Sequence, residues 1–135
     1  MNDLLLTTRG RKSGKLRRTV LVYARDGDRY IVAASNAGAD THPAWYLNLA
    51  AGPGVTVQIG ARTLAASART ATAAEKPQLW QLMVATMPSY QGYQEATSRD
   101  IPIVIIEPTG QSMTTAIAMP IGVARSAPIN GSGPG

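Results

Sequence analysis

The chain has 135 residues, 44% hydrophobic and 16% charged, with no cysteine, a single histidine and a formal net charge of +5. A length of this order supports one core, burying roughly two thirds of the unfolded surface. The absence of cysteine excludes disulfides, thiol nucleophiles and thiolate metal sites, His42 alone does not build a zinc site, and no apolar run approaches the ~20 residues of a spanning helix.

In chain order, Leu4 to Thr8 (LLLTT) predicts a short strand; its apolar part is too short for a signal peptide, so the expected compartment is the cytoplasm. The strand runs into RGRKSGKLRR, Arg9 to Arg18, where six of ten residues are basic and none is acidic. The remainder of the chain is then nearly balanced, seven basic residues against eight acidic. Almost all of the net charge sits in one loop.

Arg18 to Arg25 (RTVLVYAR) is rich in β-branched residues and predicts a strand, Asp26–Asp28 (DGD) a hairpin turn, and Arg29 to Ser35 the partner strand. SNAGAD reads as a loop. Thr41 to Ala51 predicts a short helix with Pro43 in its first turn, Trp45 and Leu49 on one face, and Gly52 to Gly54 as its stop. Val55–Ile59 and Arg62–Thr70, joined through Gly60 and Ala61, make a second hairpin. Thr72 to Glu75 (TAAE) matches a capping box ahead of a helix carrying Leu79, Leu82, Met83, Thr86 and Met87 on one face and ending at Pro88, with Pro77 early in it. Ser89 to Ser98 predicts a short helix or turn with Tyr90 and Tyr93 on the same side. Ile101 to Pro108 predicts a strand buried on both faces. Residues 1–108 are thus expected to form one domain and 109–135 a partly flexible tail of small residues, within which Thr114 to Ala124 is apolar enough to dock. Tight turns between consecutive strands argue against a parallel sheet and for a β-dominated α+β fold closed as an antiparallel barrel.

The basic loop is not a P-loop: three residues rather than four separate Gly10 from Gly14, Leu16 stands where a metal-binding hydroxyl is needed, and a strand follows. No dinucleotide fingerprint opens a helix. Nucleic-acid binding is weakened because the chain has no Phe and no aromatic residue interleaves the cations. A solvated basic turn stays open on the residues alone. Mutual repulsion of six cations, and two glycines that let backbone amides approach a guest, favour instead a small polyanion held by Arg11, Lys12, Ser13 and Arg17 or Arg18.

Three stretches carry a resemblance: LLLTTRGRKSGKLRR, DGDRYIVAASNAGADTHPAWYLNLAAGPGVTVQI and MPSYQGYQEATSRDIPIVIIEP. Together, from Leu4 to Pro108, they resemble the deazaflavin-dependent nitroreductase family of actinobacteria, which uses reduced coenzyme factor 420, an 8-hydroxy-5-deazaflavin with a phosphodiester and an oligoglutamate tail. The resemblance implies a split β-barrel related to the flavin mononucleotide barrels, and hydride transfer to a quinone, an activated alkene or a nitro compound without a metal. It implies that Arg11, Lys12, Ser13 and Arg17 bind the phosphate and tail. Thr19, Ala33, Ser35, Asn36, Ala44, Trp45 and Asn48 would line the coenzyme site, and Tyr90 and Tyr93 would cover the substrate pocket. Ser35, Tyr90 and Tyr93 would stabilise the developing anion or donate the following proton. Read on residues alone, Trp45 with Leu49 and the Tyr90–Tyr93 pair also fit core packing, Ser35 a turn, and His42 a loop or cap.

This chain departs from the family pattern at Met87, where some members have tyrosine, at Val20–Leu21–Val22, where Pro-Leu-Tyr is frequent, and at Asn36, where lysine is common. Little sequence precedes LLLTT, a region that in relatives covers the pocket or associates with membrane. The expected partners are accordingly a small electrophile, no nucleic acid and at most a peripheral membrane contact, with the chain a monomer or weak dimer. A non-catalytic deazaflavin carrier and a barrel using flavin mononucleotide are the alternatives.

Overall fold

A computed structural model describes residues 2–109. It contains one seven-stranded sheet and three short helices: β1 (Asp3–Arg9), β2 (Leu16–Val22), β3 (Ala24–Asp26), β4 (Arg29–Ala33), α1 (Ala44–Ala51), β5 (Gly54–Ile59), β6 (Arg62–Thr70), α2 (Lys76–Thr86), α3 (Ser89–Glu95) and β7 (Ile103–Pro108). The strand order is β2-β1-β5-β6-β7-β4-β3, and every neighbouring pair is antiparallel. The expected β-dominated split barrel is the fold observed. The tail expected after Pro108, including Thr114 to Ala124, lies beyond Thr109 outside the described residues.

One predicted strand is two. RTVLVYAR breaks at Tyr23, so that β2 pairs with β1 at one edge of the sheet and β3 with β4 at the other. A single residue joining opposite edges forces the sheet to curl until the edges meet. Tyr23 holds the corner with its amide on the carbonyl of Asn2 at 2.9 Å and its ring edge-on to Tyr30, centroids 5.4 Å apart.

The curl separates two apolar clusters. Alternate residues of the strands, among them Leu6, Val32, Val57, Leu64, Val104 and Ile106, fill the interior together with Leu49 of α1. On the outer face Ile31, Ala33, Ile103 and Ile105 pack under Leu79 and Met83 of α2 and Tyr90 of α3. β4 and β7 are therefore buried on both sides, as the run IPIVIIEP predicts, and each fully buried Val or Ile contributes about 1.5–3 kcal/mol.

Antiparallel register also sorts the chain into two ends. The β1–β2 loop, the β4–α1 segment, α1 and the starts of β5 and β7 lie at one end; the tight turns at Gly27–Asp28 and Gly60–Ala61 lie at the other. No helix among the described residues is long and apolar enough to cross a membrane.

The capping box is realised ahead of α2. The Thr72 amide donates to Glu75 Oε1 at 2.8 Å and the Glu75 amide to Thr72 Oγ1 at 3.2 Å, while Arg69 binds both carboxylate oxygens at 2.9 and 3.0 Å. Pro77 sits in the first helical turn, where its missing N–H costs no helical bond. The Arg69 guanidinium, and after it the Thr72 amide, lower the Glu75 carboxyl from 4.5 to about 2. Such a depressed group stabilises the fold above the unfolded pKa and loses that contribution as pH falls toward the folded one. Glu75→Gln should therefore lower the melting temperature at pH 7, by an amount that shrinks between pH about 4.5 and 2. A difference from the parent that is constant across that window would contradict this account.

Candidate functional site

The β1–β2 loop closes on itself before it meets anything else. The Gly10 amide bonds the Lys15 carbonyl at 2.7 Å, the Gly14 amide the Gly10 carbonyl at 2.8 Å, and the Arg9 guanidinium the Gly14 carbonyl at 2.7 Å. A Cβ at Gly10 would stand 2.8 Å from Ser13 Oγ, and Gly14 has φ +73. These glycines are needed for tight closure, and their amides are spent inside the loop. This corrects the expectation that they open the backbone to a guest. The amides of Lys12 and Ser13 are the ones with no hydrogen bond among the described residues.

Asn48 fastens the loop to the barrel. This residue of α1 is 6% exposed; its Oδ1 accepts from the Arg11 amide and from Arg11 Nη1, both at 3.2 Å, and its Nδ2 donates to Thr8 Oγ1 at 3.3 Å. Thr8 is itself 2% exposed on β1. One buried amide thus joins the loop, the strand before it and the helix across from it.

Between loop, β2 and α1 runs a groove of about 490 Å³. Of the residues expected to hold the coenzyme, Arg11, Lys12, Ser13, Arg17, Thr19, Ala44, Trp45 and Asn48 line it, and Thr8, Gly10 and Arg18 line it with them. No acidic side chain does. A second recess of about 480 Å³ opens on the other side of the same loop, toward Ala51 and Gly52. The ion pairs among the described residues use Arg29, Arg69 and Lys76; the six loop cations enter none. Cations gathered beside one another with no carboxylate to neutralise them fit an anionic guest.

The remaining expected residues lie elsewhere. Ala33 ends β4 and packs in the outer cluster under α2 and α3. Asn36 is exposed, with Nδ2 on the Thr41 carbonyl at 3.0 Å. Ser35 is 8% exposed and its hydroxyl makes no hydrogen bond among the described residues. Tyr90 and Tyr93 do share a side of α3, rings edge-on with centroids 5.9 Å apart, but Tyr90 is buried against Trp80 and Met83. Burial, reinforced by the neighbouring Tyr93, pushes the Tyr90 phenol up.

Arg99 was not singled out by the sequence. It bonds three backbone carbonyls and His42 between β4 and α1. Isolated basic residues before a strand carry no spacing signal.

Comparison with known proteins gives concordant results. Residues 1–108 match the family model described as F420H(2)-dependent quinone reductase. An F420H(2)-dependent quinone reductase of Mycobacterium tuberculosis is 39% identical over 107 residues, covering 77% of this chain and 72% of the relative. A solved F420-H2 dependent reductase, FDR-A, superposes with a TM-score of 0.73 at 39% identity, covering 78% of this chain and 94% of that one. Another solved structure with the same score and identity, covering 78% and 80%, is described as a domain-swapped dimer.

Removing the Asn48 amide leaves Thr8 and the Arg11 backbone without their partner. Asn48→Ala should cost about 1–3 kcal/mol in denaturant unfolding. An unchanged unfolding midpoint would show that the loop is held by other means.

Proposed function

The chain belongs to the F420H(2)-dependent quinone reductase family and is a coenzyme factor 420-dependent reductase, and we propose that its β1–β2 loop is the anchor for the anionic half of that coenzyme. The supporting observation is the groove itself: Arg11, Lys12, Arg17 and Arg18 line it with no acidic residue, and Asn48 holds its loop in place. Its donors suit a phosphodiester and an oligoglutamate tail. Guanidinium forks bind such oxygens bidentately, Lys12 supplies a point charge, and the free amides of Lys12 and Ser13 add neutral donors.

Bound reduced coenzyme supplies the hydride. The chain has to fix the donor, keep the acceptor beside it and stabilise the charge that develops there. Trp45 and Ala44 give the groove an apolar wall at the α1 end, suited to a flat ring. The hydroxyl of the buried Ser35, without a partner among the described residues, is able to donate to an oxyanion. The Tyr90 phenol, in edge-on contact with the half-buried Tyr93, is the proposed proton donor. A quinone is the acceptor class that the family name carries; activated alkenes and nitro compounds need the same two properties, an electrophilic atom and an oxygen that gains charge.

Lys12 is exposed, and its ion pair with a tail carboxylate is worth roughly 1 kcal/mol, about fivefold in affinity. In a fluorescence titration Lys12→Ala should weaken binding of the coenzyme by about that factor. A coenzyme lacking the glutamates should lose the distinction between variant and parent. Equal affinity of the two proteins for the full-length coenzyme would place the tail elsewhere.

A further inference from the structure

Ser35 is followed by two non-glycine residues in the left-handed region, Asn36 at φ 47 and Ala37 at φ 54. Asparagine tolerates that conformation; alanine has no side-chain hydrogen bond to offset it. Such backbone persists where its surroundings over-determine it, and it clusters at functional sites. Ala34 N bonds the Pro102 carbonyl at 2.9 Å, Thr97 Oγ1 bonds Asp40 Oδ1 at 2.7 Å, and Gly38 lies so close to α3 that a Cβ there would be 3.1 Å from the Tyr93 carbonyl.

Among the described residues, Arg99 is the side chain that reaches carbonyls on both sides of the left-handed pair. Its Nη2 donates to Ala34 O at 3.2 Å and Ser35 O at 2.8 Å, its Nε to Ala39 O at 2.8 Å. Its Nη1 meets His42 Nδ1 at 3.1 Å, and because a guanidinium only donates, Nδ1 accepts and the imidazole proton lies on Nε2. His42 in turn packs against Tyr46 of α1, centroids 4.9 Å apart, one residue beyond the Trp45 that lines the groove. The clamp therefore fixes the carbonyl of Ser35, a residue 8% exposed, while leaving its hydroxyl without a partner among the described residues.

We propose that Arg99 is a positioning residue for the acceptor side of the reaction: it clamps the left-handed turn so that the Ser35 hydroxyl is presented in one fixed direction. The proposal rests on the reading of Ser35 as a donor to the acceptor's oxygen. Arg99 lines neither face of the basic loop, so anchoring of the coenzyme is independent of it. Lysine keeps the charge at this position but has no planar fork to span carbonyls on both sides of a turn.

The test compares Arg99→Lys, Ser35→Ala and the double variant with menadione as acceptor, alongside coenzyme titration of each. Arg99→Lys should lower kcat at least tenfold with coenzyme Kd within twofold of the parent, and the double variant should be no slower than Ser35→Ala. Parental kcat in Arg99→Lys with a slow Ser35→Ala would overturn the proposal alone. So would losses that multiply in the double variant, or a Kd rise with kcat unchanged. Parental kcat in Ser35→Ala would overturn the reading of Ser35 and the proposal with it. Should Arg99→Lys fail to fold, Arg99→Gln is measured with Ala37→Gly in the same chain, the glycine relieving the left-handed strain. The same loss of kcat is expected there, and a parental rate contradicts it.

Discussion

One residue, Tyr23, separates the two strands that form opposite edges of the sheet. The rest of the molecule depends on that constraint. Seven strands can pair in this order only if the sheet curls until β2 and β3 meet end to end through Tyr23, and the curl creates an interior for one set of alternating side chains and an outer face for the other. The helices then have fixed places: α1 contributes Leu49 to the interior, while α2 and α3 cover the outer faces of β4 and β7. The same closure gathers the basic loop, the β4–α1 segment and the start of β7 at one end, leaving short turns at the other.

Within that end the work is divided by charge. The loop between β1 and β2 concentrates cations where no carboxylate opposes them, and its own backbone bonds plus Asn48 hold it against the repulsion this creates. The segment from Ala34 to His42 carries no such excess. It is a strained turn tied down by hydrogen bonds from Arg99 and Thr97 and by the Ala34 amide on the Pro102 carbonyl, with the Ser35 hydroxyl unpartnered among the described residues. Helix α1 joins the two regions, since its Tyr46 packs against His42 of that segment and its Trp45 and Asn48 line the groove. Anchoring needs long-range charge and tolerates exposure, whereas orienting a single hydroxyl needs short, directional bonds.

Strand positions, the hairpin at Asp26–Asp28, the capping box at Thr72–Glu75 and the doubly buried last strand were all legible in the sequence, because each rests on local chemistry or periodicity. The break at Tyr23 was not. RTVLVYAR has unbroken β-propensity, and what divides it is the pairing of its halves with strands far apart in the sheet. The basic loop stood out by charge alone, and eight of the residues expected to hold the coenzyme do share one groove. The glycines were misread, since a short distance from Gly10 to Ser13 and a positive φ at Gly14 leave no trace in composition. Ala33, Ser35 and Asn36 were inferred from resemblance, and the groove lined by the other eight does not include them. Arg99 was passed over because its meaning lies in four acceptors 57 to 65 residues away in sequence.

The proposed role of the β1–β2 loop is to receive the anionic half of the coenzyme. Its most direct test is a titration of isotope-labelled protein with reduced coenzyme factor 420, followed by amide resonances. The account predicts that the backbone amides of Lys12 and Ser13, and the side-chain amide of Asn48, shift together and saturate with the coenzyme. Resonances of that loop that stay in place while others saturate would contradict it.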